Sequence, residues 1–360
     1  MTKRLLLVGA GHAHLEVLRS LTEETLNAAD ICLISPSEFQ YYSGMFSGYT
    51  EGINSEEDTR IDLRKLTKKA GIQFIKKEAS AIRPHHKKLV CQDGSVYPFD
   101  VISFDIGSRS IPYEFEESAA RSVKPNYQFI DEINLLRETP QPLIVGGGAV
   151  GTELALSIQA YKEKQQIQGQ VRLITSEALL APSPRIVSDK LHSILRKKGI
   201  RIWENERVVE VGENYVRTDR GNKVRHSGVL WMGGAIGDPI FQSSGVDIDE
   251  KGFALVRSTL QFKNYDYIFG AGDCVSFIDH PDLPKSGVYV VREGPILDRN
   301  LRLYLGNEKL EDYEPKKNAS YILSTGNYMG FLIYGPICLH THRAWKTKNK
   351  LDHSYMDKYK

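Results

Sequence analysis

Cysteine is sparse in this chain of 360 residues, and the four present, Cys32, Cys91, Cys274 and Cys338, stand far apart. None forms a C-x-x-C or similar pair, which excludes a close-spaced zinc site and a redox disulfide with a two-residue gap. Such usage fits a reducing compartment, so a cytoplasmic protein is expected. Long apolar runs are also missing: no stretch approaches the ~20 residues that cross a bilayer. At the start, Lys3-Arg4 passes through Leu5-Leu6-Leu7-Val8 straight into Gly9, an apolar run too short for a signal peptide. Nor is there an excess of one charge. With 47 Lys and Arg against 45 Asp and Glu, the formal net charge is +2, and no nucleic-acid partner is expected. His12 and His14, without other ligand types beside them, make a poor metal site, so no metal is expected.

What is present is an ordinary globular composition, 41% hydrophobic and 26% charged, in a chain long enough for two cores. Leu5 to Val8 reads as a buried parallel strand, Leu15, Leu18 and Leu21 recur at helical spacing beyond a glycine turn, and Ile31 to Ile34 gives the next strand. That is a unit of the size a right-handed crossover needs. The succession returns mid-chain, with Leu143-Ile144-Val145, a glycine turn, a helical stretch through Leu154 and Ile158, and a strand at Val171 to Ile174. Farther on, Lys69-Ala70-Gly71-Ile72-Gln73-Phe74-Ile75 resembles Lys197-Lys198-Gly199-Ile200-Arg201-Ile202-Trp203, each a helix ended by glycine and followed by a strand. Hairpin-like stretches follow, clearest at Gln92-Asp93-Gly94-Ser95, and the copies close on strands Val101 to Gly107 and Val229 to Gly233. Whole domains are therefore repeated.

The chemistry sits on the two glycine turns. Gly9-Ala10-Gly11-His12-Ala13-His14 follows a strand and opens a helix, so its first glycine permits the sharp turn and its second lets the backbone approach a pyrophosphate. His14 occupies the third position, where Gly or Ala usually allows close helix-strand contact. Gly146-Gly147-Gly148-Ala149-Val150-Gly151 satisfies the full G-x-G-x-x-G pattern in the same setting. Ribose recognition commonly uses an acid at the end of the second strand, yet the corresponding positions are Ser35 and Thr175. The choice between NADH and NADPH is thereby left open.

These two motifs, the Gly270-Ala271-Gly272-Asp273 turn after a buried strand, and their order resemble the pyridine nucleotide-disulfide oxidoreductase superfamily over nearly the whole chain. Within it the sequence is similar to the type II NADH dehydrogenase branch. It is more similar still to the flavoprotein domain fused to selenide, water dikinases, through His12-Ala13-His14, Tyr42-Ser43-Gly44-Met45, Val123-Lys124-Pro125 and Gly287 to Pro295. The resemblance implies an α/β fold with two Rossmann-like FAD/NAD(P)-binding domains, each a three-layer unit around a parallel sheet, and a small C-terminal α+β domain. The FAD-binding domain is expected over 1–112 and 256–312, the NAD(P)-binding domain over 113–255, and the C-terminal domain over 313–360.

FAD and NAD(P)H are the cofactors the resemblance implies. Gly9, Gly11, His12, Ala13, His14, Ser35, Ala79, Gly107, Gly272, Asp273, Gly287 and Val288 are the expected flavin-side contacts, and Gly146, Gly148, Val150, Gly151 and Thr175 the nicotinamide-side ones. Asp273 matches an aspartate that binds the flavin's ribityl chain, and the helix after Lys285-Ser286-Gly287 one that points its N-terminus at the flavin ring. Glu153 and Lys124 match residues given catalytic parts, against plain readings as a first-turn helix charge and a solvated lysine. Arg292-Glu293 belongs to a stretch that the resemblance sets beside the flavin, against a plain reading as an ion-paired helix face, and Cys274 reads as a small buried apolar residue.

No reactive cysteine pair is visible, so disulfide reduction and sulfide oxidation are not expected. The remaining activity is hydride transfer from NAD(P)H to FAD and delivery to a small electron acceptor, with a quinone the one implied. Val288 and Arg292 stand where type II enzymes carry a glutamine-containing quinone stretch. The tail from His342 holds Trp345, Leu351, Tyr355 and Tyr359 among lysines, which suits either a peripheral membrane contact or, with more weight, the packing of a terminal helix. A homodimer is compatible with the same resemblance. The competing reading is a flavin-binding regulatory or partner protein of a selenium pathway with little turnover.

Overall fold

A computed structural model describes residues 2–110, 120–181, 183–285, 287–315 and 320–359. Ser286, the side chain of Val288 and the expected boundary at 112/113 lie outside the described residues.

The first sheet is built on β1 (Lys3–Val8), β2 (Ala29–Ser35), β3 (Gln73–Lys76) and β4 (Val101–Phe104), with α1 (His12–Ser20) crossing between β1 and β2. Leu5, Leu6, Leu7 and Val8 are all buried, as a strand covered on both faces requires. The second sheet takes β5 (Pro142–Val145), α2 (Ala149–Gln165), β6 (Arg172–Thr175), β7 (Arg201–Glu204) and β8 (Gly228–Trp231). The chain then returns to the first sheet with β9 (Ala254–Val256), β10 (Gln261–Phe262), β11 (Tyr265–Gly270) and β12 (Val275–Phe277), followed by α3 (Gly287–Leu305). The larger sheet runs β12-β9-β10-β11-β4-β1-β2-β3, and its five strands from β11 to β3 are mutually parallel. In the smaller, all-parallel sheet the order is β7-β6-β5-β8. Each domain carries a three-stranded antiparallel insertion, at 79–98 and at 208–225. The expected turn at Gln92–Ser95 is present, with Gly94 at φ +81° and Ser95 N–H donating to Asp93 Oδ1 at 3.0 Å.

Both closing strands stop earlier than their apolar runs suggest, at Phe104 and Trp231. The first ends because the next carbonyl, that of Asp105, turns away to accept from Gly11 N–H at 3.1 Å. The return to the first core also comes ahead of residue 256, since Ile240, Phe241 and Val246 already pack there.

At the C-terminal end, β13 (Tyr321–Ser324), β14 (Gly330–Tyr334) and β15 (Ile337–Thr341) form an antiparallel sheet under α4 (His342–Met356). Helix and sheet touch closely: a Cβ on Gly330 would lie 2.4 Å from Trp345 N. This unit divides its apolar residues between the two domains. Leu323, Phe331 and Ile333 join the core of Ile144, Leu154 and Leu173, whereas Tyr355, Met356 and Tyr359 join that of Leu6, Leu33 and Phe269. It is therefore a clasp across both domains, because three short strands and one helix bury too little to form a core alone. Among the described residues no helix is long and apolar enough to cross a membrane.

Candidate functional site

The first cradle is shaped by what glycine allows. Gly9 has φ +83°, and a Cβ there would lie 2.3 Å from the Asp105 carbonyl oxygen, so only glycine lets the loop pass beside β4. Gly11 caps α1 without a side chain of its own. The amides exposed at that helix start meet a remote acid: Ala13 N–H and His14 N–H donate to Asp105 Oδ2 at 2.8 and 3.0 Å. Burial pushes the Asp105 carboxyl up to about 8, against the pull of these two bonds. His14 contributes its backbone here, while its ring points into the core, fully buried. Ring Nδ1 donates to the Gly9 carbonyl oxygen at 2.7 Å, which leaves Nε2 to accept from Ser103 Oγ at 2.8 Å.

Asp273 stands on the turn after β11. Its Oδ2 accepts from Lys124 Nζ at 2.8 Å, and Lys124 donates also to Ser108 Oγ at 2.6 Å. Two expected site residues from different parts of the chain thus meet. Asp273 Oδ1 is buried and has no hydrogen-bond partner, which leaves it an acceptor for a donor not supplied by the protein. Beside it Gly272 has φ +78° and donates its N–H to Glu293 Oε2 at 2.7 Å. Glu293 is buried rather than part of an exposed ion-paired face, and burial pushes it up to about 7. His12 borders the same space, 3.9 Å from where a Cβ on Gly287 would stand at the start of α3. Its Nδ1 is 2.8 Å from Tyr355 Oη, and the Tyr355 ring stacks on Tyr42 at 4.3 Å. Burial draws the His12 imidazole down to about 4, opposed by Asp273.

In the second cradle, Gly146 has φ +128° and Gly148 caps α2 without a side-chain bond. Nothing lies within 4 Å of a Cβ built on Gly148, so that helix end is open, with Val150 41% exposed beside it. Gly151 answers to packing instead, since its Cβ would fall 2.1 Å from the Gly146 carbonyl oxygen. Thr175, buried at the end of β6, lies against Gly147 with Oγ1 2.5 Å from that residue's virtual Cβ. The other expected contacts are spread along the first domain. Ser35 ends β2, Ala79 begins the antiparallel insertion, and Gly107, at φ +74°, follows β4. Val288 lies in the first turn of α3.

Glu153 has other partners than those of Asp273 and Lys124. It sits where the second domain meets the clasp, accepting from Ser324 N–H at 2.7 Å with Lys348 Nζ 3.6 Å away. Lys348 also donates to Asp352 Oδ2 at 2.7 Å and to the Gly44 carbonyl oxygen at 2.6 Å, and Tyr42 Oη donates to Asp352 Oδ1 at 3.1 Å. Burial raises Glu153, and Lys348 opposes that rise. For Lys348 burial pulls down, but Glu153 and Asp352 outweigh it and hold the ammonium above its usual value.

Sequence reading missed Asp105, Lys348 and Asp352, and it named Glu293 and Tyr355 without the parts they take here. An acid inside the apolar stretch Val101 to Ile106 was a usable signal for Asp105. A lysine among the many of the tail offered none. Of the tail residues expected to pack or to touch a membrane, Tyr355 and Tyr359 are buried and Leu351 is 61% exposed. All four cysteines are free and buried, and burial raises the Cys274 thiol.

Residues fit for a dinucleotide are therefore present at both helix ends, with an unpartnered aspartate oxygen at the first. Residues 3–294 match the pyridine nucleotide-disulphide oxidoreductase family. The chain is 24% identical over 366 aligned positions to the type II NADH:quinone oxidoreductase of Staphylococcus saprophyticus, covering 92% of this chain and 90% of that one. In fold it is similar to the sulfide:quinone oxidoreductase of Aquifex aeolicus, with TM-score 0.81, 20% identity and coverage of 99% and 91%. It is similar also to Plasmodium falciparum NDH2 in complex with NADH, with TM-score 0.78, 13% identity and coverage of 100% and 95%. The chain is an oxidoreductase of the FAD- and NAD(P)H-binding type, and it belongs to the pyridine nucleotide-disulphide oxidoreductase family.

Proposed function

We propose that the protein takes hydride from NAD(P)H onto bound FAD and passes the electrons to a quinone or a similar small acceptor. The observation that carries this reading is the pair of glycine-capped helix starts, at Gly11 and Gly148, each at the C-terminal end of a parallel sheet in one chain. Backbone N–H groups at such an end suit a diphosphate. When bound, the flavin supplies two-electron acceptance from a reduced nicotinamide and delivery to a second acceptor.

The chain's own residues bind, orient and hold protons. Lys124 fixes one oxygen of Asp273 and leaves the other for a sugar hydroxyl. The N-terminus of α3, beginning at Gly287, would offer the positive end of a helix dipole to negative charge on a reduced flavin held in the first cradle. Glu153 and Lys348, 3.6 Å apart, are an ion pair near the second domain's helix start, with the proton kept on Nζ. Quinone as acceptor rests on the similarity to the type II NADH:quinone oxidoreductase. A cytoplasmic location with peripheral contact at the membrane's inner face, where a quinone would be met, belongs to the same reading.

Anaerobic mixing of the purified yellow protein with NADH or NADPH tests it. Rapid bleaching of the flavin, followed by recovery of colour on adding a quinone analogue, is the expected result. If neither nucleotide bleaches it faster than free FAD, the reading fails.

A further inference from the structure

The donors that a diphosphate would use in the first cradle are held by this chain's own carboxyl. Ala13 N–H and His14 N–H both point to Asp105 Oδ2. Its other oxygen lies between the two cradle glycines: Oδ1 is 2.0 Å from a Cβ built on Gly11 and 2.6 Å from one built on Gly272. Gly11 and Gly272 are thus glycine partly because a carboxyl already fills the space beside them. A carboxylate and a diphosphate on the same amides repel each other, whereas a protonated carboxyl can donate to a phosphate oxygen.

We propose that Asp105 is a proton-linked gate on the flavin site: FAD's diphosphate gains the amides of α1 as Asp105 takes up a proton, so cofactor binding and proton uptake are coupled. The inference rests on FAD occupying the first cradle. Groups of several elements face the carboxyl. His14 on α1 is neutral, with both ring nitrogens engaged, and His12 is drawn down by burial. Glu293 on α3 and Asp273 after β11 act on Asp105 as negative charges, and Lys124 and Lys285 act on those acids rather than on it. Cys274 and Tyr355 feel the Asp105 charge and are themselves held protonated by burial. Every strong influence apart from the two amide bonds therefore favours the protonated carboxyl. With the folded-state value near 8, FAD binding should be constant below that pH and weaken above it, because the ionised gate must then be neutralised first.

The test is titration of FAD into the deflavinated full-length chain, followed by quenching of flavin fluorescence from about pH 6.5 to about pH 9. In the wild type Kd is expected to rise by up to about tenfold per pH unit above the midpoint. Asp105→Asn, which keeps an acceptor for the two amides, should bind with no such slope. Glu293→Gln should keep the slope but move its midpoint to lower pH, since a neighbouring negative charge is gone. Should Asp105→Asn fail to fold, proton uptake by the wild type near about pH 9 decides, with about one proton per FAD expected. A wild-type affinity flat across the range, an unchanged slope in Asp105→Asn, or no proton uptake overturns the gate while leaving the flavoenzyme reading intact. Failure to bind FAD at any pH overturns both.

Discussion

His14 Nδ1 donates to the Gly9 carbonyl oxygen at 2.7 Å, and this bond takes the place of a close contact that the second motif makes with bare glycine. At the equivalent place Gly151 sits so near the Gly146 carbonyl oxygen that a Cβ would clash at 2.1 Å. One helix is thus fastened to its loop by a hydrogen-bonded ring and the other by steric fit. The imidazole fills the volume a third glycine would leave and satisfies both its nitrogens.

His14→Ala removes both bonds and opens a void in the first core. A loss of about 2–4 kcal/mol in urea unfolding is expected. A change below about 0.5 kcal/mol would show that the ring does not fasten the loop.

Stability should fall in mild acid. Burial draws His12 and His14 to about 4 in the folded chain, below the ordinary 6.5, so the unfolded chain binds more protons between those values. The contribution of the two rings is full above about pH 6.5 and lost as pH falls toward about 4, where other groups add their own effects. Urea midpoints compared for wild type and His14→Gln at about pH 7 and about pH 5 isolate one ring. The acid loss should be smaller in the variant.

Gly148→Ala and Gly151→Ala should separate binding from folding. Gly148 has φ −72° and open space around its Cβ position, so alanine there leaves stability within about 0.5 kcal/mol while raising KM for the nicotinamide nucleotide about tenfold or more. Gly151→Ala must move the helix start and should cost about 2 kcal/mol or more. Equal effects on KM and on the unfolding midpoint in both variants would contradict this division.

Lys348→Met leaves Glu153 and Asp352 without their cation, each with a side chain no more than 13% exposed. A loss of about 2–4 kcal/mol is expected. Adding Asp352→Asn should recover part of it, because one of the two stranded charges is removed. A double variant less stable than the single one would argue against the cluster acting as a unit.

Local features of this chain were legible without coordinates. The paired strand-turn-helix units, the glycine ends of the helices before β3 and β7, and the turn at Asp93-Gly94 depend on periodicity and on backbone angles that only certain residues adopt. The sequence marks Asp273 and Lys124 each as a site residue but not their contact, which spans 149 positions. The composition of the tail suits packing or a membrane face, and its division into buried Tyr355 and exposed Leu351 follows only from the clasp.

The sequence by itself determined two dinucleotide-type units and where each glycine turn falls, because those patterns are set by neighbours along the chain. Tertiary structure alone decided which acids fill and border the cradles. Asp105 reaches amides 91 and 92 positions away, Glu293 reaches Gly272 from a separate helix, and Lys348 comes to Glu153 from the clasp. Charge placement of this kind follows from sheet order and domain docking, which bring distant residues within hydrogen-bond reach and remove the water that would otherwise hide their effect.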